Sequence, residues 1–148
     1  MLAGATGALL FRVHGARQVV LDQRHNRIIV PCDADPIADI CQYDARTGRL
    51  LLRSASREHF AVSAVDAADG LLLGLSPLTG QAGLIEERTG KVLSTLSVSS
   101  TPRAQTGAFS LTSAAYDSRT GRAFVLDNPA STDPTAGLVN TLITLAIS

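Results

Sequence analysis

Tyr43-Asp44-Ala45-Arg46-Thr47-Gly48-Arg49 and Tyr116-Asp117-Ser118-Arg119-Thr120-Gly121-Arg122 are two copies of one phrase. Glu87-Arg88-Thr89-Gly90-Lys91 keeps its centre, and Ala5-Thr6-Gly7 is a degenerate copy near the start. Turn chemistry accounts for these letters. An acid at the first position accepts hydrogen bonds from backbone N–H groups about two residues on. The glycine supplies the positive φ that closes a type I turn with a bulge. The threonine hydroxyl ties the turn internally. The acid of the third copy is Glu86 or Glu87. In two variant turns Asn26 and Gly70 take the left-handed position, which both residue types tolerate. The phrase is therefore a hairpin maker before it is a candidate ligand site.

The sequence on either side falls into two alternating classes. In one class the glycine leads into Ala8-Leu9-Leu10-Phe11, Arg49-Leu50-Leu51-Leu52 or Lys91-Val92-Leu93-Ser94, and Gly7, Gly48 and Gly90 are spaced by 41 and 42 residues. In the other, an apolar strand enters an aspartate turn and returns apolar: 19–30 around Asp22, 62–75 around Asp66 and 111–126 around Asp117. Two hairpins per repeat of roughly 42 residues make one four-stranded blade. The fold class is all-β: a β-propeller of about three four-stranded antiparallel blades, as a partial ring or half of an oligomeric ring. Residues 1–148 form a single segment, with blades near 19–53, 60–98 and 109–147 and with 7–13 as the other piece of a split blade. Phe60, Val62 and Ala64 alternate with Ala61, Ser63 and Val65, as a half-buried strand requires. Ser63-Ala64 and Ser113-Ala114 precede aspartate turns, and such small residues suit an innermost strand crowded at an axis. Recurrent Val, Ile, Thr and Gly, without a long 3.6-residue period, argue against helices.

Composition narrows the function classes. Among 148 residues, 13 Lys and Arg balance 13 Asp and Glu. Nucleic-acid binders normally carry a basic excess, and acidic tails carry the opposite. Hydrophobic residues make up 45% of the chain, aromatics 4%, and Trp is absent, so the core is expected to be aliphatic. No apolar run is long enough to span a bilayer. Met1 to Val13 lacks a basic lead and is broken by Arg12, so it does not read as a signal peptide. The chain is cytoplasmic on this reading, or a piece of a longer protein whose targeting segment is missing.

The hairpin phrases resemble the YVTN-type β-propeller repeats of YncE-like proteins. The resemblance rests on Val20-Leu21-Asp22, Tyr43 to Arg49, Val65-Asp66, Glu87 to Lys91 and Tyr116 to Arg122. It implies a binding or scaffold protein without a shared catalytic set, commonly periplasmic or extracellular and mostly seven-bladed. Three blades do not close such a ring. The expectation is a homo-oligomer or part of a longer chain, because an open arc leaves apolar faces that invite association.

Binding is expected on the loops opposite the acidic turns, since connecting loops commonly carry sites on a rigid scaffold. Each connection between blades holds an arginine, Arg17, Arg57 or Arg103, with His59 beside the second. Three convergent guanidinium groups would bind a carboxylate, sulfate or phosphate; solvated loop arginines are the plain alternative. Asp33, Asp35 and Asp39 share one loop and offer oxygen ligands for a hard cation, although their spacing fits no EF-hand and Pro36 interrupts them. Cys32 and Cys41 flank that loop and would lie opposite each other in a hairpin, leaving a disulfide and two strand thiols both open. No cofactor motif and no catalytic set is expected, and the partner is an unspecified protein or small molecule. The alternatives are a lactonase-like propeller hydrolase and a structural cell-surface repeat. Inner strands carrying Ser, Ala and Val rather than metal-binding carboxylates speak against the hydrolase.

Overall fold

The computed structural model describes residues 12, 18–32, 40–54, 60–76, 78–98, 111–127 and 141–146. Each acidic turn joins two antiparallel strands, and neighbouring hairpins pair into separate sheets. Blade 1 comprises β1 (Val20–Asp22), β2 (Arg27–Pro31), β3 (Ile40–Asp44) and β4 (Leu50–Ser54). Blade 2 comprises β5 (Ala61–Asp66), β6 (Leu71–Ser76), β7 (Gln81–Glu86) and β8 (Val92–Ser97). Blade 3 comprises β9 (Leu111–Asp117), β10 (Arg122–Asp127) and β11 (Thr141–Ala146). The segment 7–13 expected to complete a split blade lies outside the described residues, apart from Arg12. Burial falls from the second strands outward: β6 is buried from Leu72 to Ser76, whereas β8 is exposed from Leu93 to Ser97.

The blades stack in one direction. Asp22 pairs with Arg27, Asp66 with Leu71 and Asp117 with Arg122. That common register makes Ile29, Leu73 and Phe124 equivalent, and likewise Ile28, Leu72 and Ala123. Ile29 of blade 1 shares a core cluster with Leu72 of blade 2. Leu73 of blade 2 shares the next with Ala123 of blade 3. The leading faces of blades 1 and 2 are thus covered by the trailing faces of blades 2 and 3. Each fully buried aliphatic side chain contributes on the order of 1.5–3 kcal/mol, so these seams supply most of the cohesion between sheets. On the trailing face of blade 1, Ile28, Val30, Cys41 and Ala45 form a third buried cluster.

One strand departs from simple alternation. Val62 pairs with Gly74 but Ala64 pairs with Leu73, so the register slips at Ser63. Burial still alternates along β5, yet the slip sends Val62 toward blade 1 and Ala64 toward blade 3. The even spacing therefore does not put Val62 and Ala64 on one face, because a bulge adds a residue to one strand only. Phe60 joins the blade 1 seam and lies across the paired glycines Gly74 and Gly83. A Cβ on Gly83 would come within 2.7 Å of the Phe60 ring.

Candidate functional site

The acids of the turns accept hydrogen bonds from within their own turns. Asp44 Oδ1 accepts from the Arg46 amide at 3.0 Å, the Thr47 amide at 2.8 Å and the Thr47 hydroxyl at 2.9 Å. Thr47 Oγ1 in turn accepts from the Arg49 amide at 3.3 Å. Asp117 accepts from the Arg119 amide at 3.0 Å and the Thr120 hydroxyl at 2.7 Å. Glu86, not Glu87, fills this role in blade 2: its carboxylate accepts from the Thr89 hydroxyl and its carbonyl from Gly90 N–H. Gly48, Gly90 and Gly121 have φ of 70°, 72° and 62°, while Asn26 and Gly70 have 56° and 65°. Asp66 Oδ1 accepts from the Ala68 and Asp69 amides, so the Asp66 and Asp69 pair serves a turn rather than acid–base chemistry.

Glu87 instead reaches across the seam between blades 1 and 2. Its amide donates to the Gly70 carbonyl at 2.9 Å, as that of Ala45 donates to the Asn26 carbonyl in blade 1. Where blade 1 has a methyl group, blade 2 therefore has a carboxylate aimed at the preceding blade. There Arg27 Nη1 donates to Glu87 Oε1 and to Gln42 Oε1, each at 3.0 Å. Gln42 Nε2 donates to the Glu87 carbonyl. Asp22, fully buried at the end of β1, accepts from the His25 amide at 3.1 Å, and His25 Nδ1 lies 2.6 Å from its Oδ2. The same Nδ1 is 3.8 Å from Glu87 Oε2.

Burial, followed by the charge and hydrogen bonding of Asp22, pushes the Glu87 carboxyl above its ordinary value, against the pull of Arg27. Burial pushes Asp22 upward too, but the His25 amide and ring together with Glu87 outweigh it and hold Asp22 low. One nitrogen and two carboxylate oxygens lie within 4.8 Å of one another.

The equivalent seam between blades 2 and 3 differs. Asp66 is buried with Oδ2 lacking a hydrogen-bond partner of regular geometry. The Tyr116 phenol of blade 3 faces this carboxylate, whose hydrogen-bonding influence leads, with burial, in pushing its pKa up to about 12. The third copy, Asp117, has no following blade among the described residues and is half-buried.

Arg17, Arg57, Arg103, His59, Asp33, Asp35 and Asp39 lie outside the described residues. Cys32 and Cys41 are joined as a disulfide, with Cα atoms 5.1 Å apart. The sequence signal for the seam cluster is thin. His25 stands in a turn with Asp22, Glu87 is a second acid after the turn acid, and Gln42 interrupts an apolar strand.

Solved structures match this arrangement. Hydrazine synthase of Kuenenia stuttgartiensis matches with a TM-score of 0.59 and 12% identity, over 81% of this chain and 31% of that one. The dihydro-heme d1 dehydrogenase NirN matches with a TM-score of 0.51 and 10% identity, over 90% of this chain and 28% of that one. The fold is that of a partial β-propeller. The Swd1 β-propeller domain of Myceliophteria thermophila also matches, with a TM-score of 0.49 and 10% identity, over 90% of this chain and 40% of that one. At such identities the likeness is one of fold alone. The chain spans between 28% and 40% of the lengths of these structures. No family model and no curated protein matches the chain.

Proposed function

We propose that the chain is a non-enzymatic β-propeller scaffold of the YVTN type. In this reading it extends its ring with a second copy and offers the loops opposite the acidic turns to a protein or a small anionic ligand. The leading face of blade 3 carries the proposal. In blades 1 and 2 that face is covered by the next blade, which buries Ile29 and Leu73. In blade 3 the same face presents Ser113, Ala115, Phe124, Thr144 and Leu142 on paired strands. Leu142 is 64% exposed and Ser113, Ala115 and Thr144 are exposed. The surface continues an established stacking geometry, so its fitting occupant is the trailing side of another blade. A second copy offers exposed Leu21 on its first strand and exposed Val19 just before it. Replacing Leu142 with Glu puts an unpaired charge in that contact and is expected to shift the chain toward monomer in light scattering. An unchanged mass would count against the seam.

The ligand part of the proposal is supported by the turn face. Asp44 and Asp117 accept hydrogen bonds within their own turns, as Asp66 does through Oδ1, which supports placing recognition on the opposite loops rather than on this face. Sulfate titration of wild type and Arg57→Ala tests it. Weaker binding by the variant is expected, and equal binding by both would remove the anion site.

A further inference from the structure

The seam between blades 1 and 2 holds two buried carboxylates, from Asp22 and Glu87, against one guanidinium, that of Arg27. With His25 neutral and both acids ionised the group carries one net negative charge on carboxylates that are themselves buried, a situation that favours a proton or a cation. Arg27 engages Glu87 Oε1. Oε2 is left on the side of His25 Nδ1, which also meets Asp22 Oδ2.

We propose that Asp22 Oδ2, His25 Nδ1 and Glu87 Oε2 form a binding site for a divalent transition cation of the zinc class. His25 Nδ1 lies 2.6 Å from Asp22 Oδ2 and 3.8 Å from Glu87 Oε2, and one ring nitrogen and one oxygen of each carboxylate lie within 4.8 Å of one another. Zinc bonds of roughly 2.0–2.2 Å to N and O donors require the 2.6 Å His25–Asp22 contact to open and the 3.8 Å His25–Glu87 contact to close. A His side chain on a turn allows such small shifts. One imidazole with two carboxylates suits zinc better than calcium or magnesium, which prefer oxygen-only sets. The supporting shell is already built: the His25 amide holds Asp22, Arg27 holds Glu87, and Gln42 ties Arg27 to the Glu87 backbone. Such outer hydrogen bonds orient ligands toward a metal. His25 is 41% exposed, which gives the cation a path from solvent and leaves room for water in a fourth position. Coordination through Nδ1 leaves the proton of the neutral ring on Nε2, so binding releases a proton only from a form in which the ring or a carboxyl carries an additional one.

The site is independent of oligomeric state and of the anion loops. Calorimetric titration of the metal-free chain with zinc chloride tests it, alongside thermal unfolding with and without zinc. One zinc per chain is expected, with a zinc-dependent rise in Tm. Affinity should fall at least tenfold in His25→Ala and in His25→Gln, which keeps a hydrogen-bonding side chain on this exposed turn. An Asp33→Asn, Asp35→Asn, Asp39→Asn triple variant should bind zinc as wild type does. Absence of stoichiometric binding by wild type, or unchanged affinity in both His25 variants, would overturn the proposal.

Discussion

Thr47 does two jobs with one hydroxyl, donating to Asp44 and accepting from the Arg49 amide. Such a turn is legible in sequence because every partner lies within five residues of the acid. Hydrogen bonds from the Thr47 amide and hydroxyl hold Asp44 below the ordinary aspartate range, and the Thr120 hydroxyl leads in doing the same for Asp117. A depressed carboxyl stabilises the fold fully above its unfolded value, and that contribution is lost as pH falls through the lower folded value. Asp44→Asn is therefore expected to lose less stability than wild type between about pH 4 and pH 2, read from denaturant midpoints. Parallel profiles would contradict it. Gly83 makes a second residue-scale test, since a methyl group there runs into the Phe60 ring at 2.7 Å. Gly83→Ala should cost about 1–3 kcal/mol by overpacking, seen as a lower urea midpoint with unchanged slope. Glu87 marks the limit of such reading. Its partners Asp22 and Arg27 lie on another blade, and only the stacking direction reveals that they meet.

At the scale of elements, the hairpins were readable because each carries its own turn chemistry and apolar strands on both sides. Face assignment was less so. The slip at Ser63 is encoded in the fit of Val62 to one neighbour and Ala64 to the other, which no local pattern announces. The Cys32–Cys41 disulfide joins the residue that follows β2 to the facing strand β3 across a sequence separation of 9. Closing a loop of that length removes unfolded-state freedom on the order of 2–3 kcal/mol. A Cys32→Ser, Cys41→Ser variant is expected to lose about that much stability, and wild type should shift likewise on adding reductant. A midpoint insensitive to reductant would show that the link adds nothing in solution.

For the whole molecule, the repeat of acidic turns specified how many blades to expect, while the stacking direction emerged only from register. Blades 1 and 2 bury their leading aspartates, and blade 3 leaves Asp117 half-buried beside a face on which Ser113, Ala115, Leu142 and Thr144 are exposed. A propeller works by lateral contact between blades, so in the proposed reading the leading face of blade 3 takes the trailing side of a second copy. Light scattering on the 15.5 kDa chain across a range of concentrations tests that claim most directly. A mass of twice the chain, falling toward the single chain in Leu142→Glu, is the predicted result. A stable monomer at every concentration would contradict it.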